Sequence, residues 1–229
     1  MKIKILVFFV TVFILIPVSV CGYFALTAAD MESLPPLRDG DLVFETTSTN
    51  QTWAIWLATG SFYTHMGIIR MGANNTPYVI EAAGPVRETP LRDWMARGRM
   101  WRLTIMRVRG LKPEYARRVL KAAMAYYGKP YDPFFLFDKD KIYCSELVYY
   151  AFKEGIGVDL GVIQTFEQLQ MDNTAVQILI YSRWKRYPPC LEKGIDLLDE
   201  CLQFMYSQQV ITPISIAQDP RLETVYSNY

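Results

Sequence analysis

Two short apolar runs joined by a turn constrain this chain more than any other feature. His65-Met66-Gly67-Ile68-Ile69-Arg70-Met71 and Tyr78-Val79-Ile80-Glu81-Ala82 flank Gly72-Ala73-Asn74-Asn75-Thr76-Pro77. Branched apolar side chains suit a pleated surface, and Gly, Asn and Pro supply turn backbone, so the stretch predicts an antiparallel hairpin. Further strands are expected over residues 41–45, after the turn Arg38-Asp39-Gly40, and over 103–108. Strands this close in sequence pair antiparallel, and helical patterns separate them, which makes the class α+β with a small, mainly antiparallel sheet packed against helices.

The helices are read from period and punctuation. Trp53, Ile55, Trp56 and Leu57 before Gly60 predict a short helix over 50–59. Thr89-Pro90 starts another through Trp94 to Ala96, ending at Gly98. Pro113 and Gly128 bracket a third, with Tyr115, Val119, Ala122, Ala123 and Tyr126 on one stripe. A fourth runs from Tyr143 to Lys153. Residues 176–181 read as a buried strand and 191–206 as one helix. No internal repeat, heptad array or low-complexity segment is present.

The 229 residues suit one domain with extensions, and 51% hydrophobic content supports a packed core. With 24 Lys and Arg against 23 Asp and Glu there is no basic stripe, so nucleic acid is not an expected partner. Lys2 and Lys4 precede an uncharged, mostly apolar run over 5–29, the layout of a secretory signal or an N-terminal membrane anchor. Cleavage after Ala29, retention as an anchor and lipidation at Cys21 all export the domain to the periplasm or cell surface. The expected organisation is a leader or anchor over 1–29, a linker over 30–37, a hydrolase core over 38–185 and a C-terminal helix and tail over 186–229. An oxidising compartment permits Cys190 and Cys201 to pair across a short helical hairpin; both also suit buried apolar positions.

One histidine, His65, precludes an ordinary multi-histidine metal site within the chain, and no nucleotide-binding glycine motif is present. Cys144 reads as the first residue of the fourth helix, where unpaired amides and the helix dipole favour thiolate and can receive an oxyanion. The hairpin sets residues near 81–84 opposite His65, within reach of Glu81, a lone carboxylate in an apolar strand. Each residue alone has an ordinary alternative: a small core cysteine, a satisfied histidine, a solvent-facing glutamate. Together they form a nucleophile, a base and a group that orients the base.

Gly40-Asp41-Leu42, Thr64-His65-Met66-Gly67-Ile68, Val79-Ile80-Glu81-Ala82, Gly128-Lys129-Pro130-Tyr131-Asp132 and Tyr143-Cys144-Ser145-Glu146-Leu147 stand in this order. The series resembles the circularly permuted branch of the NlpC-type papain-like cysteine hydrolases (the YiiX/YebB-like amidases), in which the histidine strand precedes the cysteine helix. The resemblance covers residues 36–185, and the tail from Ile211-Thr212-Pro213 to Tyr226 is also similar to the branch. It implies a permuted papain-like fold with Cys144 as nucleophile, His65 as general base and Glu81 as the orienting residue, needing no cofactor. Tyr131 and Tyr143 match positions lining the site, either hydroxyl being a candidate donor to a substrate carbonyl, and Asp41 matches the entry strand. The implied substrates are peptides, including those of the cell wall, or other amide-linked small molecules. Lipid acyl hydrolysis or transfer is the alternative, with Phe134-Phe135-Leu136-Phe137 as an aromatic run either exposed to lipid or packed in the core. A non-catalytic binding module is the third. Oligomeric state is not legible.

Overall fold

The computed structural model describes residues 28–49 and 51–229. Cys21 and nearly all of the apolar leader lie outside them. The centre is a six-stranded antiparallel sheet in the order β4-β3-β2-β1-β5-β8. Its strands are β1 (Leu42–Thr47), β2 (His65–Met71), β3 (Pro77–Ala82), β4 (Val86–Pro90), β5 (Gly98–Val108) and β8 (Leu222–Ser227). Two short strands, β6 (Gln164–Thr165) and β7 (Gln209–Val210), pair separately.

The hairpin forms as its composition predicts, with Ile68 opposite Ile80 and Met71 opposite Pro77. Both sheet faces are buried, which is why β1 and β2 read as near-continuous apolar runs. Leu42, Phe44, Met66, Ile68 and Ile80 face one cluster; Val43, Ile69, Val79 and Ile105 face another. Into the first cluster packs α4 (Cys144–Ile156), whose residues 144–152 are all buried. The amphipathic helix α3 (Pro113–Met124) covers α4 through Val119, Leu120 and Ala123. The second face is closed by α2 (Leu91–Arg97), with Trp94 fully buried. Between β1 and β2 runs α1 (Thr52–Thr59).

Two expectations need correction. Residues 176–181 lie within helix α5 (Thr174–Arg183), because the Asn173 side chain caps the Val176 amide at 3.0 Å and only Val176 and Ile180, one turn apart, are buried. The predicted helix over 191–206 is two, α6 (Pro188–Glu192) and α7 (Leu198–Tyr206), interrupted where Gly194 adopts φ 66°. In the connecting stretch 30–37, Met31, Leu34 and Leu37 pack with Ala29 on the second face. Burial of apolar side chains holds it there.

Helix α8 (Pro213–Ala217) and β8 carry the fold to the C-terminus, and β8 is part of the sheet itself, hydrogen-bonded along β5. A disulfide joins Cys190 to Cys201 between α6 and α7, with Cα atoms 5.7 Å apart. Among the described residues, no helix is long and apolar enough to cross a membrane.

Candidate active site

His65 is the first residue of β2, at the end of the sheet, where its ring reaches past the strand edge. Its Nε2 lies 2.7 Å from Oε2 of Glu81. The register makes this contact: Gly67 falls opposite Glu81, so His65 is the diagonal neighbour on the same face. Gly67 is required there, since a Cβ would stand 2.4 Å from Val79 Cγ1 and 2.7 Å from the Ile80 carbonyl oxygen. With Nε2 on Glu81, the other ring nitrogen is left for Cys144, whose interaction with the ring raises the imidazole above its ordinary value. The two residues that open β2 and α4 therefore meet across the end of the sheet.

Glu81 has no solvent exposure and is held on both oxygens. Thr89 Oγ1 donates to Oε1 at 2.6 Å and Arg97 Nη2 donates to the same oxygen at 2.5 Å. Burial pushes its carboxyl up, but hydrogen bonds from His65 and Thr89 and the charges of His65 and Arg97 outweigh it, leaving the group at about 2. Burial likewise pulls His65 down, and its interactions with Cys144 and Glu81 outweigh it and raise the group to about 10. The imidazolium is the favoured form. Trp94 stacks at 6.0 Å between ring centroids and fixes the ring plane.

A second buried carboxylate was missed. Glu45 sits directly opposite His65 in the β1–β2 register and is fully buried, and neither oxygen has a hydrogen-bond partner. Burial pushes it up to about 8, against the pull of His65 and Arg97 and with the repulsion of Glu81. Gly98 makes room for it, because a Cβ there would lie 2.6 Å from Oε2. The signal was available, since an acidic residue in an apolar strand is the argument that singled out Glu81. Thr89 and Arg97 had no such signal; they reach Glu81 only through the β3–β4 register and the path of α2.

Cys144 is 4% exposed and is the free thiol among the described residues. Tyr131 comes beside it because residues 130–132 run along Ile142, with a bridge at Tyr131. Burial and the charge at Cys144 raise the Tyr131 phenol well above its usual range. Tyr143 is 1% exposed, its hydroxyl oxygen accepts the Ile211 amide at 3.1 Å, and the residue lines the cavity that holds Cys144. Asp41 is not at the site. It lies at the far end of β1, in a two-point ion pair with Arg107 at 2.7 Å, and its side chain also accepts the Arg38 amide. Ser145 turns away and donates to the Ile211 carbonyl at 2.8 Å. The aromatic run is half-buried: Phe134 and Leu136 pack over the disulfide, Phe135 and Phe137 pack against the sheet cluster, and Phe134 and Phe135 line the cavity of Cys144.

Two cavities meet at the Cys144–His65 pair. One, of about 880 Å³ including its open mouth, contains Cys144 and is walled by apolar side chains such as Ala58, Phe166, Leu169, Met171, Val176 and Ile180. The other, of about 1100 Å³, contains His65 with Glu45, Gln51, Arg97 and Tyr131. Thr64 and Ile55 belong to both walls.

Residues 36–226 match the family described as permuted papain-like amidase enzyme, YaeF/YiiX, C92 family. The chain is 32% identical over 189 residues to the uncharacterized protein YiiX of Escherichia coli strain K12, covering 82% of this chain and 85% of that protein. It is also similar to a crystal structure described as metalloprotein YiiX from Escherichia coli O157:H7, DUF1105. That match has a TM-score of 0.74 and 31% identity, covering 84% of this chain and 98% of the other.

Proposed function

The chain belongs to the permuted papain-like amidase family, and from that premise we propose that it is an exported cysteine hydrolase that cleaves amide bonds through Cys144, His65 and Glu81. The observation that carries the proposal is the buried 2.7 Å contact between His65 Nε2 and Glu81, which leaves the other ring nitrogen for Cys144. Glu81 fixes the tautomer and stabilises imidazolium; His65 takes the thiol proton.

The sulfur of Cys144 attacks the substrate carbonyl carbon, and the carbonyl electron pair moves to oxygen. The first-turn amides of α4, which have no partner within the helix, can receive that oxyanion. Collapse breaks the C–N bond as His65 returns the proton to the leaving nitrogen, leaving a thioester on Cys144. His65 then takes a proton from water, the hydroxide adds to the thioester carbonyl, and the acid leaves as the thiol is restored. The substrate class is a peptide or small amide conjugate, with cell-wall peptides the leading candidate by family and compartment. Export is supported by Lys2 and Lys4 before the apolar run and by the Cys190–Cys201 disulfide.

The related crystal structure is described as that of a metalloprotein. The donors here do not fit a metal centre: among the described residues no three His, Cys, Asp or Glu side chains are grouped for one, and Nε2 of His65 is engaged by Glu81. No step is assigned to a metal.

The test is hydrolysis of peptide amides and of p-nitrophenyl acetate by Cys144→Ala. The expected outcome is a loss of at least ~10³-fold in kcat/KM. Retention of wild-type turnover by the variant would overturn the assignment.

A further inference from the structure

Residues 46–64 carry no Asp, Glu, Lys or Arg, and within them α1 reads Thr52-Trp53-Ala54-Ile55-Trp56-Leu57-Ala58-Thr59. Ala54 and Ala58 pack inward, while Trp53 is 49% exposed and Leu57 is exposed beside it. Phe62, in the loop that follows, is 53% exposed. Large apolar side chains are normally buried, and a cluster of exposed ones marks a surface that meets a partner or another apolar phase. We propose that this aromatic face docks into the headgroup region of an anionic phospholipid bilayer and holds the domain against the membrane. The proposal goes beyond the hydrolase assignment and does not rest on Cys144.

The face is one connected surface. Trp53 and Trp56 have ring centroids 4.9 Å apart, Trp56 and Phe62 4.8 Å, and Phe62 stacks on Tyr229 at 6.3 Å. Asn228, next to Tyr229, donates Nδ2 to the Trp101 carbonyl at 3.1 Å, and the Arg99 guanidinium lies over the Trp53 ring at 5.3 Å. Between these points the chain leaves the sheet. β5 meets Thr47 with Gly98 and Glu45 with Leu103, so residues 99–102 bulge out opposite Thr46 alone. At the tip Met100 and Trp101 hold φ of 57° and 54°, a left-handed backbone that is uncommon away from glycine. That turn presents both side chains to solvent, 52% and 38% exposed.

Position and charge select the membrane as the occupant. Trp, Tyr, Met and Arg suit protein interfaces as well as bilayer interfaces, so composition alone does not choose. The Ala29 amide, however, donates to the Trp101 carbonyl at 3.0 Å. Residues 5–29 form an uncharged, mostly apolar run of bilayer-spanning length, and its last residue is pinned to the aromatic face with no tether between them. Such a run, placed in a bilayer, brings the face to the headgroups, where indole and phenol rings settle with an apolar body and a wet polar edge. The flank is cationic: residues 92–102 contain Arg92, Arg97, Arg99 and Arg102 against Asp93 alone, and Arg92 and Arg99 are exposed. Each arginine that reaches anionic headgroups strengthens association about fivefold.

In the experiment the full chain is reconstituted into vesicles of phosphatidylglycerol and a phosphatidylcholine brominated near the top of its acyl chains. Flotation reports whether the protein is held on the vesicles, and bromine quenching of tryptophan reports whether the face is docked. Three of the five tryptophans, Trp53, Trp56 and Trp101, lie on the face, so more than about a third of the emission is expected to be quenched. Trp53→Phe/Trp56→Phe/Trp101→Phe leaves Trp94 in the core and Trp184 beside the disulfide, and its quenching is expected to be at least ~5-fold lower. Arg99→Glu, or omission of phosphatidylglycerol, is expected to lower quenching of the otherwise unaltered chain at least ~2-fold. Equal quenching with and without phosphatidylglycerol would overturn the anionic assignment. Flotation without quenching, or quenching that persists in the triple variant, would overturn the docked face and leave the hydrolase assignment untouched. A chain that does not float would overturn it as well. Unquenched emission together with a dimer in detergent that Phe62→Glu separates would overturn it in favour of a second copy.

Discussion

At the residue scale, the site is a contest between burial and charge, and three groups resolve it differently. Glu81 is buried yet ionised because His65, Thr89 and Arg97 converge on it. Its stabilising contribution is present above pH ~4.5 and is lost as pH falls toward 2. His65 runs the other way: its contribution is complete below pH ~6.5, the value in an unfolded chain, and disappears as pH rises toward the raised folded value. Glu81→Gln removes the anion that holds the imidazolium. The expected outcome is a 10- to 10²-fold lower kcat and an alkaline limb of the pH–rate profile displaced to lower pH, with both read from one titration of rate against pH. An unmoved alkaline limb would detach Glu81 from His65. Glu45, unpartnered and raised to about 8, costs stability as pH climbs from 4.5 to 8. Glu45→Gln is expected to melt ~2–8 °C above the wild type at pH 8, about 1–2 kcal/mol, with a smaller difference at pH 5. Thermal melts at the two pH values check it.

At the element scale, the hairpin sets the catalytic geometry through its register. A slip by one residue would turn Glu81 to the opposite face, away from His65. Gly67 holds β2 and β3 close enough for the diagonal contact, so Gly67→Ala is expected to cost about 1–3 kcal/mol in a urea titration and to lower kcat as well. An unchanged midpoint would mean that the strands yield without loss. This element was legible in the sequence because turn residues and branched apolar runs are local signals. The same local reasoning failed at 176–181, where Val176, Ile178 and Ile180 alternate like a strand but an Asn173 cap starts a helix. It failed again at 191–206, where one apolar stripe spans two helices.

At the scale of the whole molecule, what was legible is the order of the parts: histidine strand, carboxylate strand, cysteine helix. His65 could be named because it is the one histidine, Cys144 because it opens a helix, and Glu81 because the hairpin sets it within reach of His65. The supporting shell was not legible, because Thr89, Arg97 and Trp94 reach the site through pairings and crossings that no local pattern encodes. Asp41 shows the converse. It stands in a matching motif, yet it anchors Arg107 away from the site, so its role is architectural. The tail has a similar lesson, since β8 closes the sheet from far along the chain. What the assembled fold does, on this account, is bring one thiol to one imidazole where two cavities meet. The most direct measurement is rapid-quench mass spectrometry of the protein mixed with p-nitrophenyl acetate, followed by peptide mapping. The account predicts one acetyl group on Cys144, formed at least ~10²-fold faster than in His65→Ala and lost again on turnover. Acetylation elsewhere during turnover, or equal rates at Cys144 with and without His65, would contradict it.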